Sequence, residues 1–215
     1  MKCYKPLSSE SKKKYIELFA KATICEYFPN EYTEIKTQDR PDLLDTIQNI
    51  GIEVTQAINE NYAKAINEFS LLGFETDKRK INKRLNILHK MNEKLDEYDT
   101  WNVISCTEEN IINAIIKKNN KYDSYKCKTV DLFIYAVFLF HIPHSEERLK
   151  TFGNRTLLKM NDLNVKYRYI YLAVTGYIYR FDIRSANYVV KEFPNEKATD
   201  LGFTVRKYIE NKVYE

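Results

Sequence analysis

Apolar positions recur along the chain at two spacings, three-to-four and two, and each change of spacing marks a new element. From Ser8 or Ser9 to about residue 27, Tyr15, Leu18, Phe19, Ala22 and Cys25 fall on one face behind a serine N-cap, which predicts a helix. Phe28-Pro29-Asn30 ends it, and a polar stretch runs to Arg40. Pro41-Asp42-Leu43-Leu44-Asp45 reads as a short strand, with Ile50-Gly51-Ile52-Glu53-Val54-Thr55 as its hairpin partner. In that partner Ile50, Ile52 and Val54 point to one side, and Gly51, Glu53 and Thr55 to the other. A helix over 59–72 is stopped by Gly73. A long amphipathic helix over 77–98 follows, behind Thr76, with a stripe of Ile81, Leu85, Leu88, Met91 or Asn92, and Leu95. Thr107 caps a further helix, with Glu108 and Glu109 near its N-terminus and Ile111, Ile112, Ile115 and Ile116 along it. Residues 129–141 form a near-continuous apolar run, as in a central strand covered on both faces. Residues 167–174 and 177–183 read as a hairpin around Thr175-Gly176, and 196–211 as a last helix.

This order predicts a mixed α/β (α+β) fold. A central sheet is flanked by helices in one domain over residues 1–215, with a helical insertion at about 76–120. Hydrophobic residues make up 44% of the 215, enough to bury a substantial core. The five glycines form no phosphate-cradling loop, and there is neither a Walker motif nor a Gly-x-Ser-x-Gly elbow, which argues against P-loop nucleotide hydrolysis and serine-hydrolase chemistry. The four cysteines make no CxxC pair, so neither a zinc ribbon nor a disulfide framework is expected. The sequence opens without an apolar leader, and its longest apolar run, 130–142, is shorter than the about 20 residues a bilayer span needs. A reduced, cytoplasmic setting with no membrane association is the expectation.

A net charge of +4 leans weakly toward polyanions. The best phosphate-tracking face is Lys78, Arg79, Lys80, Lys83 and Arg84, with smaller groups at Lys12-Lys13-Lys14, Lys117-Lys118 with Lys121, and Lys126 with Lys128. Each also reads as an ordinary solvated surface. His141 and His144 flank Ile142-Pro143, and with Glu146 or Glu147 they are a second metal-ligand candidate beside the plainer reading of a strand-ending turn.

Chemistry concentrates in the acidic hairpin. Pairing of its strands brings Asp42 and Glu53 side by side. Two carboxylates that close repel, so a counter-cation is expected, and a hard divalent ion such as Mg²⁺ or Mn²⁺ suits them, with the Val54 carbonyl as a further ligand. The plain alternative is a turn-capping Asp42 and a solvent-facing Glu53.

At these residues the sequence resembles the PD-(D/E)XK nuclease superfamily, whose fold is restriction-endonuclease-like. Pro41-Asp42, ten intervening residues, and Glu53-Val54-Thr55 follow that pattern, with helices before and after. The resemblance implies a Mg²⁺- or Mn²⁺-dependent endonuclease that hydrolyses phosphodiester bonds, most naturally in DNA and in bacterial or phage defence. Asp42 and Glu53 would hold the metal, and Glu17 or Glu26 on the helix ahead would complete the site. The family's lysine position is Thr55, which carries no positive charge, so Thr55 or Gln56 would stand in its place. That departure keeps two other readings open. One is a catalytically inactive nuclease-like module that binds nucleic acid or protein. The other is a regulatory interaction protein with a protein partner or a second copy of itself.

Overall fold

The computed structural model describes residues 7–92, 106–136 and 145–212. Their elements are α1 (Ser9–Tyr27), β1 (Ile35–Thr37), β2 (Leu43–Asp45), β3 (Ile50–Gln56), α2 (Glu60–Leu72), α3 (Lys78–Asn92), α4 (Glu108–Asn119), a 3₁₀ turn at Tyr122–Ser124, β4 (Thr129–Ala136), α5 (Glu146–Asp162), β5 (Tyr169–Val174), β6 (Gly176–Asp182), β7 (Asn187–Phe193) and α6 (Asn195–Lys212). The fold is mixed α/β, as the pattern predicts. One seven-stranded sheet holds the strands in chain order. β1, β2 and β3 form an antiparallel meander, β4 and β5 run parallel to β3, and β6 and β7 return antiparallel.

The parallel β3–β4 pair needs a long crossover, and α2, α3 and α4 lie within it. Side chains on one sheet face, Ile50, Ile52 and Val54 with Phe133, Tyr171 and Ile178, pack with Phe19, Ala20 and Ile24 of α1. Those on the other, Val130, Leu132, Ile134, Ile170 and Leu172, pack with Ile111 and Ile115 of α4 and Phe152, Leu157 and Met160 of α5. Within the expected insertion over 76–120, α4 covers the sheet. The pair that stands off the core is α2 with α3. No side chain of α2 is buried, and Arg84 of α3 is held by Glu68 of α2 at 2.6 Å.

β1, α5 and β7 were not expected from the pattern. β1 has three residues, and β7 is a mostly exposed edge strand, so its alternation is faint. In α5 the buried stripe includes Gly153 and Thr156 among its apolar residues, which hides the period. Gly153 is small for a reason, since a Cβ there would lie 2.5 Å from the Tyr188 ring of β7. The extension of the third helix beyond 92, the end of the apolar run beyond 136, and His141 with His144 lie outside the described residues.

The β2–β3 turn is built around Asp45. Its buried carboxylate accepts from the backbone N–H of Thr33 at 2.5 Å, Ile47 at 2.9 Å and Gln48 at 3.0 Å. Burial alone would raise its pKa, but the N–H donors of Gln48, Thr33 and Ile47 outweigh that and hold it below the usual carboxylate range. Asp45 therefore stabilises the fold fully above the ordinary carboxylate pKa, and the contribution is lost as pH falls through the lowered value. Asp45→Ala should cost about 2–4 kcal/mol near neutral pH, from hydrogen bonds to a charged group. Urea denaturation of both proteins should show that difference shrink as the pH is lowered through the acid range.

Candidate functional site

β2 pairs with β3 through Leu43↔Ile52, Leu44↔Gly51 and Asp45↔Ile50. One further step in that register sets Asp42 opposite Glu53, and both side chains are buried. The Asp42 Oδ2 atom accepts from the Val54 N–H at 2.8 Å, which closes the ladder where β2 runs out. The N–H and C=O of one strand residue face the same neighbour. The Val54 carbonyl is thus on the Asp42 side of β3.

Gly51 makes this arrangement fit. A Cβ at that position would lie 2.4 Å from Pro41 Cγ and 3.0 Å from Cys127 Sγ, so the proline before Asp42 rests directly on the glycine backbone.

Two lysines pair with the acids. Lys13 of α1 places its Nζ 3.5 Å from Glu17 and 3.8 Å from Asp42. Glu17 is pushed above the usual carboxylate range by burial and then by the Asp42 charge, while Lys13 opposes the rise. On the other side, the Lys118 ammonium of α4 makes a close, half-buried ion pair with Glu53 Oε1. The Tyr125 hydroxyl sits in the same neighbourhood. Burial raises its pKa, and the charges of Glu53 and Asp42 raise it further.

Of the two carboxylates expected from the helix ahead, Glu17 is beside Asp42 and Glu26 is not. The two are nine residues apart, two and a half helical turns, and so lie on opposite faces of α1. Glu26 instead pairs with Lys197 of α6 at 2.7 Å. Thr55 and Gln56 line an open cleft of about 720 Å³ together with Lys118. The basic face of α3 is not brought to this site: Lys78, Arg79, Lys80 and Lys83 are exposed on the outlying hairpin, and Arg84 is spent on Glu68.

Lys118 is the residue the sequence reading missed. It stands seven positions after Ile111 and three after Ile115, so it occupies the apolar stripe of α4. A lysine on a core-facing stripe signals a buried charge partner.

All the oxygen donors present suit a hard cation, and two carboxylates with one carbonyl edge fit a divalent ion that keeps several waters. Among the described residues no three His, Cys, Asp or Glu side chains converge on one point. Any ion held here would rest on Asp42 and Glu53. No family model, curated protein or solved structure matches the chain. No helix of the described residues is long and apolar enough to cross a membrane.

Gly51→Ala should destabilise the fold by about 1–3 kcal/mol through overpacking. It should also pull Asp42 from the Val54 N–H. Urea denaturation checks the first effect, and faster amide exchange at Val54 checks the second.

Proposed function

We propose that the protein is a divalent-metal-dependent nuclease that hydrolyses phosphodiester bonds in DNA, with Lys118 supplying the positive charge that Thr55 lacks. The observation that carries this reading is the juxtaposition of Asp42, Glu53 and Lys118. It arises in a particular order: a helix, a three-stranded antiparallel meander, a helical crossover, and a strand parallel to the third. That order agrees with the restriction-endonuclease-like fold that the Pro41-Asp42…Glu53-Val54-Thr55 pattern implies.

Asp42 and Glu53, with the Val54 carbonyl, would hold Mg²⁺ or Mn²⁺. Such an ion, when bound, neutralises phosphate charge and lowers the pKa of its water. Lys118 pairs with Glu53 on the sheet face that α4 covers, where its ammonium would hold a phosphate oxygen or orient the attacking water. Glu17 lies behind Asp42 and fixes the charge balance there with Lys13. Cytoplasmic location, expected from the cysteine pattern and the opening residues, and action in defence, by resemblance alone, belong to the same proposal.

A second reading has its own observation. Lys118 and Lys13 already neutralise the acids, as they would in a nuclease-like module that binds nucleic acid or a protein without cutting.

Plasmid DNA incubated with the protein and Mg²⁺ or Mn²⁺ separates the two. The nuclease reading expects cleavage that is lost in Asp42→Ala and Glu53→Ala and falls about 10²–10³-fold in Lys118→Met. Equal behaviour of the wild type and all three variants would sink it.

A further inference from the structure

The cleft next to the acidic pair has a construction of its own. One wall is the α4 face that carries Asn110, Asn113 and Lys117, continued by Lys121 in the turn beyond the helix. These positions are spaced three, four and four, so they form one stripe. The neighbouring stripe, Ile111 and Ile115, is buried against the sheet. Lys118, at the cleft-side edge of the Ile111–Ile115 stripe, belongs both to the cleft wall and to the ion pair with Glu53. The other wall is the end of β3, Thr55 and Gln56, and the entry to α2 at Asn59.

The chemistry of the lining is selective. Asn113, Lys117 and Lys121 are exposed, and among the described residues no carboxylate is ion-paired with either lysine. Glu60 is the one carboxylate among the lining residues. Amides carry a donor and an acceptor each, which suits base edges and sugar hydroxyls, while lysines suit phosphate oxygens. A volume of about 720 Å³ is that of a small-molecule pocket. It holds a few nucleotides of one strand and is too small to enclose a duplex.

We propose that this cleft binds a single nucleic-acid strand beside the bond to be cut, with Lys117 and Lys121 on consecutive phosphates and the amide of Asn113 on the next nucleotide along the stripe. The proposal rests on the nuclease reading for its orientation toward Glu53. It assigns strand binding to the α4 stripe and not to the basic face of α3.

The test uses a short fluorescently labelled single-stranded oligodeoxynucleotide, read by anisotropy in EDTA, where metal-dependent cutting is absent. The expected result is that Lys117→Ala/Lys121→Ala weakens binding about tenfold or more and lowers the slope of log K against log salt by about 1.4, at about 0.7 per phosphate contact on a single strand. Lys78→Ala/Lys80→Ala should bind as the wild type does. Both double variants alter exposed side chains, and circular dichroism checks that each is folded. An unchanged affinity and salt slope in Lys117→Ala/Lys121→Ala overturns the proposal, as does a wild type that does not bind. A duplex that competes as well as the single strand also overturns it. If the α4 variant loses binding while no metal supports cleavage by the wild type, the cleft stands and the nuclease reading falls.

Discussion

Three backbone N–H groups converge on the Asp45 carboxylate, and the rest of the site depends on that convergence. It ties the β2–β3 turn to the segment before β1 and fixes the pairing of the two strands. Side chains alternate along a strand, so a slip of one residue would turn Glu53 into the α1 side of the core and Val54 out of it. With the register held, Asp42 falls opposite Glu53, and Gly51 leaves room for Pro41 to bring Asp42 in. The chemistry of the site is thus set by a turn that takes no part in it.

The acids sit in a line from α1 to α4, and their repulsion is answered from both ends. Lys13 stands between Glu17 and Asp42, and Lys118 closes on Glu53. A carboxylate this buried without a partner would be costly, so the two lysines account for how the acidic strand ends fold in the absence of an added ion. They also define what a divalent ion must do. It would compete with the Lys13 ammonium for Asp42 and draw Glu17, now raised by burial and by Asp42, toward its charged form. Elsewhere another buried acid shows the contrast. Asp131 of β4 accepts from Tyr32 Oη at 2.5 Å, from Arg168 Nη2 at 2.6 Å and from the Tyr169 N–H at 2.9 Å. That network ties β4 to β5 and to the segment before β1.

Much of this was readable in the chain because it is local. The α1 period, the Thr107 cap, the β2–β3 hairpin and the Thr175-Gly176 turn each depend on residues a few positions apart. Asp42, Glu53 and the mixed sheet followed from them. The parts that were not readable depend on contacts across the fold. Choosing Glu17 over Glu26 required knowing which face of α1 meets the sheet. The roles of Gly51 and Gly153 follow from a proline and a tyrosine brought against them by other elements. Lys118 is the instructive case. It was visible as one of a pair of surface lysines, and only its place on the Ile111–Ile115 stripe marks it as different from Lys117.

The central claim is that Asp42 and Glu53 together form a divalent-cation site. Calorimetric titration of the wild type and of Glu53→Gln with Mn²⁺ tests it most directly, with no need for a substrate. The account predicts a saturating isotherm for one ion in the wild type and its loss in Glu53→Gln. A silent wild-type titration, or the same isotherm from both proteins, would contradict it.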